Sequence, residues 1–84
     1  MHFTLYSRTY CHLCQDMLDA LQALQSDARR FTVDVIDVDA DEALVARFDE
    51  LVPVLFGDLG QPELCHYFLD EHKVRQCLDG FASG

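Results

Sequence analysis

The hydrophobic pattern of this chain changes period at a pair of cysteines, and that change limits the folds open to it. His2 to Ser7 alternates, Phe3 and Leu5 against Thr4 and Tyr6, as a β-strand does. Beyond Cys11-His12-Leu13-Cys14, residues Leu13, Met17, Leu21 and Leu24 recur at helical spacing, with Leu18 beside them. Gln15, Asp19, Gln22 and Gln25 fall on the polar side. The spacing predicts a strand that hands over to a helix within the Cys-x-x-Cys, the helix fading near Ser26 and Asp27. In the first turn of a helix, residues i and i+3 share a face, so two thiols placed there can meet and bond. The unpaired amides and positive dipole end of that turn favour a thiolate over a thiol. Such an arrangement suits thiol–disulfide exchange.

Further along, Phe31 to Asp39 carries Val33, Val35, Ile36 and Val38 and reads as a second strand, largely buried, with a register shift near Ile36. Asp39 followed by Glu42 has the spacing of a capping box, opening a short helix with Leu44, Phe48 and Leu51 on one face. Val54 to Phe56 is a brief apolar strand. Gly57-Asp58-Leu59-Gly60 supplies turn residues, and Leu64 to Phe68 fits a returning hairpin strand. Asp70 caps a last helix whose inward stripe is Val74, Cys77, Leu78 and Phe81, with Leu69 and Val74 placed as a hydrophobic staple. The order β-α-β-α-β-β-α asks for a parallel pair with a right-handed crossover and a closing antiparallel hairpin. The expectation is an α/β fold, a mixed four-stranded sheet with helices on both faces.

Eighty-four residues, half of them apolar, make one domain (1–84) with a single modest core. There is no internal repeat, low-complexity tract or evident linker. The chain opens almost at once on Phe3 and Leu5 without a basic leader, and no apolar run approaches membrane-spanning length. It therefore reads as soluble and cytoplasmic, where thiols are held reduced and a Cys-x-x-Cys is redox-active or metal-binding. A net charge of −9 disfavours nucleic acid and anionic membrane as partners.

Leu5-Tyr6-Ser7-Arg8-Thr9-Tyr10-Cys11-His12-Leu13-Cys14 resembles the active-site segment of glutaredoxins, and Leu51-Val52-Pro53-Val54-Leu55 resembles the cis-proline segment of thioredoxin-fold oxidoreductases. With the order of elements, the resemblance covers nearly the whole chain and implies a glutaredoxin-like, thioredoxin-like fold. It implies Cys11 as the attacking thiolate and Cys14 as the resolving thiol, in a dithiol–disulfide oxidoreductase acting on protein or low-molecular-weight disulfides. Arg8 stands where glutaredoxins carry a basic residue three positions before the nucleophile. A cation there lowers a thiol pKa, to roughly 3.5–7.5 from about 8.5. Pro53 would be the cis-proline facing the cysteines, and the Val52 backbone would hold the substrate by strand-like hydrogen bonds. No organic cofactor is required; glutathione or a reductase would restore the dithiol.

Several positions depart from the family. His12 and Leu13 replace the usual Pro and aromatic, Leu51 replaces a Thr, and Phe68-Leu69 replace the Gly-Gly that grips glutathione ahead of an acidic residue, here Asp70. Glutathione is anionic, so a chain of this charge repels it unless Arg8 and Arg47 compensate. His12, when protonated, would stabilise the Cys11 thiolate and make the disulfide more oxidising; the alternative is an exposed loop residue without such a role. Tyr10 is either a packed aromatic or a substrate contact. Cys65 and Cys77 read as small buried hydrophobes. Two other function classes stay open. One is metal binding, by Cys11, Cys14, Cys65 and His66 as a zinc set or by a glutathione-bridged iron–sulfur cluster of the kind some glutaredoxins hold. The other is a non-catalytic peptide-binding module using Thr9, Tyr10, Val52 and Pro53.

Overall fold

The computed structural model describes the backbone of residues 1–83 and the side chains of residues 1–80. Strand β1 spans His2–Ser7, helix α1 His12–Gln22 and strand β2 Thr32–Asp37. A 3-10 turn at Val38–Ala40 leads into helix α2, Glu42–Phe48. Strands β3 (Val54–Phe56) and β4 (Cys65–His66) precede helix α3, Glu71–Ser83. The strand order is β2-β1-β3-β4, with β1 parallel to β2 and antiparallel to β3, and β3 antiparallel to β4. This is the mixed four-stranded sheet of the thioredoxin-like layout.

Alternation along β1 serves two apolar layers. Phe3 and Leu5 join Leu55 of β3 beneath Met17 and Leu21 of α1 and Val74 and Leu78 of α3. On the opposite face, Tyr6, Val54 and Phe56 pack with Val38 and Phe48. There the Tyr6 and Phe48 rings stack at 4.6 Å and the Phe56 ring meets Tyr6 edge-on at 5.7 Å, both favourable aromatic geometries. Thus α1 and α3 cover one face and α2 the other.

Several boundaries differ from expectation, each for a local reason. Helix α1 ends at Gln22 because Leu24 and Gln25 bond three residues back, to Leu21 and Gln22, at 3.0 and 3.1 Å, tightening the chain. Its buried residues are Cys14, Met17 and Leu21, whereas Leu13 is exposed: the cysteine takes the inward position expected of the leucine. Strand β2 is an edge strand, not a largely buried one; it has β1 alone as neighbour and Val35 is 51 % exposed. Its buried flanks, Phe31 and Val38, lie outside the strand.

Asp41, not Asp39, caps α2, its Oδ1 accepting from the Ala43 N–H at 2.8 Å. Strand β4 is two residues long: the Tyr67 N–H still bonds to the Pro53 carbonyl opposite it (2.9 Å), but Pro53 has no N–H to return and Tyr67 turns away at a left-handed φ of 64°, leaving Phe68 exposed. Asp70 does cap α3, Oδ1 accepting from the Lys73 N–H at 3.1 Å, and Leu69 packs into the same cluster as Val74. The Phe81 side chain, expected on the α3 stripe, lies outside the described residues.

One glycine is required by a close approach. A Cβ on Gly57 would stand 2.7 Å from Cys77 Sγ, with Met1 Cε at 3.4 Å and Leu64 Cδ1 at 3.5 Å. Gly57→Ala is expected to cost about 1–3 kcal/mol in a denaturant melt, as overpacking does. In a Cys77→Ala background the same change should cost less than half as much. Equal costs in both backgrounds would show that the sulfur is not the obstacle.

Candidate functional site: a vicinal cysteine pair at a helix N-terminus

Strand β1 sits between two others and delivers its C-terminal end to a short loop, Arg8 to Tyr10, before α1 begins. Tyr10 makes the reversal, with a left-handed φ of 60° and a fully exposed side chain. For a tyrosine that conformation costs about 1–2 kcal/mol, and the ring packs on nothing in return. The packed-aromatic expectation for Tyr10 is therefore corrected. Cys11 then caps the helix from an extended conformation (φ −109°, ψ 109°), and its Sγ accepts a hydrogen bond from the Cys14 N–H at 3.2 Å. The sulfur thus occupies the place of the usual Ser or Asp cap oxygen.

The two cysteines are disulfide-bonded, with Cα atoms 5.2 Å apart, inside the usual range for such bridges. They differ in access. Cys11 is partly exposed, and Cys14 is 5 % exposed on the buried face of α1. A hollow of roughly 390 Å³ opens beside them, floored by Leu5, Leu18 and Val35. Arg8, Thr9, Tyr10, His12 and Gln15 also line it. The structure therefore gathers Arg8, Tyr10, Cys11, His12 and Cys14 around one opening. Val52 and Pro53 are not among its lining residues.

The Val52–Pro53 bond is cis and Pro53 is buried. The Val52 N–H donates to the Phe48 carbonyl at 3.2 Å, so that amide already has a partner at the end of α2. Arg8 is likewise engaged. Its Nε and Nη2 donate to Asp39 Oδ2 and Oδ1 at 2.9 and 3.0 Å, and Nη2 also donates to Asp49 Oδ1 at 2.6 Å. Those hydrogen bonds, Asp39 first, hold the Arg8 proton more firmly than usual. The guanidinium thus ties the loop ahead of Cys11 to the turn before α2 and to the residue after it. Asp39, read from its spacing as a helix cap, belongs to this clamp instead; neither it nor Asp49 was anticipated as a neighbour of Arg8. A lone basic residue between strand and cysteines in a chain with fifteen acids signals that some carboxylate will meet it, but not which.

The remaining cysteines behave differently. Burial pushes the Cys65 thiol above its ordinary value, and burial followed by the Asp58 charge does the same for Cys77. Both stay protonated at neutral pH and are poor nucleophiles. On unfolding, these thiols release protons from near their ordinary 9.0. Above that pH the folded chain holds protons that the unfolded chain has lost, so stability falls with rising pH and is intact below. The denaturant midpoint is expected to decline above about pH 9, and less steeply in a Cys65→Ala, Cys77→Ala variant. Equal slopes would remove the thiols from the explanation.

The zinc set is not assembled. His66 Nδ1 pairs with Glu63 at 2.8 Å, and among the described residues no group of three or more His, Cys, Asp or Glu side chains is placed to hold a metal ion. Nor is any described helix long and apolar enough to cross a membrane.

A family model described as Glutaredoxin-like domain (DUF836) matches residues 2–79. The solution NMR structure of protein Ne2328 from Nitrosomonas europaea is 39 % identical, with 89 % of this chain and 87 % of that one covered and a TM-score of 0.77. The X-ray structure of a target protein from X. campestris is 32 % identical over 93 % of this chain and 96 % of that one, TM-score 0.66. A structure described as a malarial protein, 16 % identical over 94 % of this chain and 93 % of that one, shares the fold with a TM-score of 0.58. A search of curated proteins found no match. Sequence, fold and a bonded Cys-x-x-Cys that fits a redox role agree: the chain belongs to the glutaredoxin-like domain family.

Proposed function

We propose that the chain is a thiol–disulfide oxidoreductase in which Cys11 attacks and Cys14 resolves. The observation that carries this reading is the unequal access of two bonded sulfurs at a helix N-terminus, Cys11 reachable from outside and Cys14 buried. In the reduced protein the Cys11 thiolate attacks one sulfur of a substrate disulfide. A bond forms to Cys11, and the other substrate sulfur leaves as a thiolate and takes up a proton. Cys14, having given up its own proton, then attacks Cys11 and expels the second substrate thiol. Two electrons pass from the dithiol to the substrate, leaving Cys11–Cys14 oxidised. The Cys14 amide that bonds to Cys11 Sγ would stabilise the thiolate, assisted by the helix dipole.

The other residues take subsidiary roles in this proposal. Arg8 positions the loop through Asp39 and Asp49, and its positive charge is shared with them. His12, exposed next to Cys11, adds positive charge when protonated and makes the disulfide more oxidising. Tyr10 contacts the substrate directly. Val52, its amide bonded to Phe48, offers an extended partner its carbonyl. No organic cofactor takes part. A monothiol such as glutathione, or a protein reductase, returns the dithiol, and a reducing compartment such as the cytoplasm suits that cycle.

The reading is tested by Cys14→Ser. Without the resolving thiol, the mixed disulfide on Cys11 is expected to accumulate with a protein or peptide disulfide and to survive a non-reducing gel. It should dissolve on adding a dithiol and be missing from the Cys11→Ser, Cys14→Ser double variant. If no adduct forms on the single variant, the assignment of the two roles fails.

A further inference from the structure

The charges around the hollow bear on which disulfides approach it. Arg8 is the one guanidinium or ammonium group among its lining residues, and it is already matched. Asp39 and Asp49 both bond to it, so two carboxylates face one guanidinium and these three residues carry one net negative charge around Arg8, at the edge of the hollow. Cations elsewhere give little relief: Arg29, Arg30 and Arg75 pair with Asp79, Asp27 and Glu71, Arg47 lies over the Phe48 ring at 4.6 Å, and Lys73 lines a separate hollow with Glu63 and Asp70. With six basic and fifteen acidic residues in the chain, the far field has the same sign as the near field. Tyr10 and Leu13, both exposed, flank Cys11 with apolar surface suited to a polypeptide.

We infer that the Cys11–Cys14 dithiol draws its disulfides from basic protein segments and discriminates against glutathione disulfide. The inference rests on the exchange chemistry proposed above and names its substrate class. The balance is unchanged: the dithiol loses two electrons and two protons, and the cationic disulfide becomes two thiols. Selection acts in the encounter and in the mixed disulfide, where lysine or arginine side chains beside the substrate sulfur meet Asp39, Asp49 and the surrounding negative field. The γ-glutamyl and glycyl carboxylates of glutathione meet the same field and are repelled.

Single-turnover kinetics of the reduced full chain test this. Three symmetric peptide disulfides, with the cysteine flanked by lysines, serines or glutamates, are compared with glutathione disulfide. Each rate is divided by that of dithiothreitol with the same disulfide, which removes intrinsic reactivity. At low ionic strength the lysine peptide is expected to exceed the glutamate peptide and glutathione disulfide by about tenfold or more. The gap should close to within about twofold near 1 M salt, where charges are screened within ~3 Å. Asp49→Asn should narrow it more than Glu71→Gln, which removes the same charge from α3. Glutathione disulfide reacting as fast as the lysine peptide, or a ranking indifferent to salt, would overturn the inference. Equal effects of the two substitutions would overturn its assignment to the surroundings of Arg8. Should Asp49→Asn not fold, the salt series on the unaltered chain decides alone. Failure of all four disulfides to react would bring down the exchange chemistry as well, a result distinct from an inverted ranking.

Discussion

Cys11→Ser is expected to lower disulfide reduction by on the order of a thousandfold or more. A serine hydroxyl stays protonated near neutral pH, and an alcohol oxygen does not form the sulfur–sulfur bond on which exchange depends. The helix N-terminus cannot compensate, because its amide then donates to an un-ionised oxygen. Substitution of Cys14 leaves the first attack intact and stops the second, so the two variants should separate cleanly: one inert, the other trapped. Cys65→Ala with Cys77→Ala should retain the rate to within about twofold, since those thiols are only partly exposed, lie away from the hollow and are held protonated. The check is an initial rate with reduced protein and a small neutral disulfide. Residual activity in Cys11→Ser above a tenth of the unaltered rate would mean that another group attacks.

Leu5→Ala carries the largest stability effect expected. Leu5 is fully buried at the centre of the sheet, paired with Val35 on one side and Leu55 on the other, and packed under α1 and α3. Removing three buried carbons costs the transfer energy plus a cavity that the flanking strands cannot close, about 3 kcal/mol. For a chain of this length that is a drop of about 12–24 °C in Tm and a large share of a total of about 4–13 kcal/mol. Val35→Ala, on the half-exposed face of the edge strand, should cost less than about 1 kcal/mol. Calorimetry of the two variants side by side gives the comparison. Similar losses would contradict the placement of β1 at the centre and β2 at the rim.

Much of the fold is legible in the sequence, wherever local chemistry is decisive. The bounds of β1 and β3 follow from short apolar runs, and the Asp70 cap with its Leu69–Val74 staple follows from residue spacing alone. The switch of period at Cys11 was legible because strand and helix patterns abut there. What escaped depended on partners distant in sequence. Val33, Val35, Ile36 and Val38 look alike whether a strand lies in the middle of a sheet or at its rim, so the exposure of β2 was not visible. Leu13 outranks Cys14 in hydrophobicity, yet the cysteine faces inward, because the geometry of a cap and a three-residue bridge overrides the leucine. Asp39, Asp41 and Asp49 are chemically identical; which caps α2 and which hold Arg8 depends on how β1 and α2 meet. The left-handed turn at Tyr67, which shortens β4, carried no glycine to announce it.

The position of β1 has a consequence for how the molecule tolerates disturbance. A six-residue segment supplies side chains to both apolar layers and backbone bonds to two neighbours, so its detachment opens the protein everywhere at once. The loop that leads into Cys11 is tethered to that segment. Fraying at either outer strand would leave that tether in place, so that in the proposed exchange chemistry the two sulfurs would be held at one spacing from cycle to cycle.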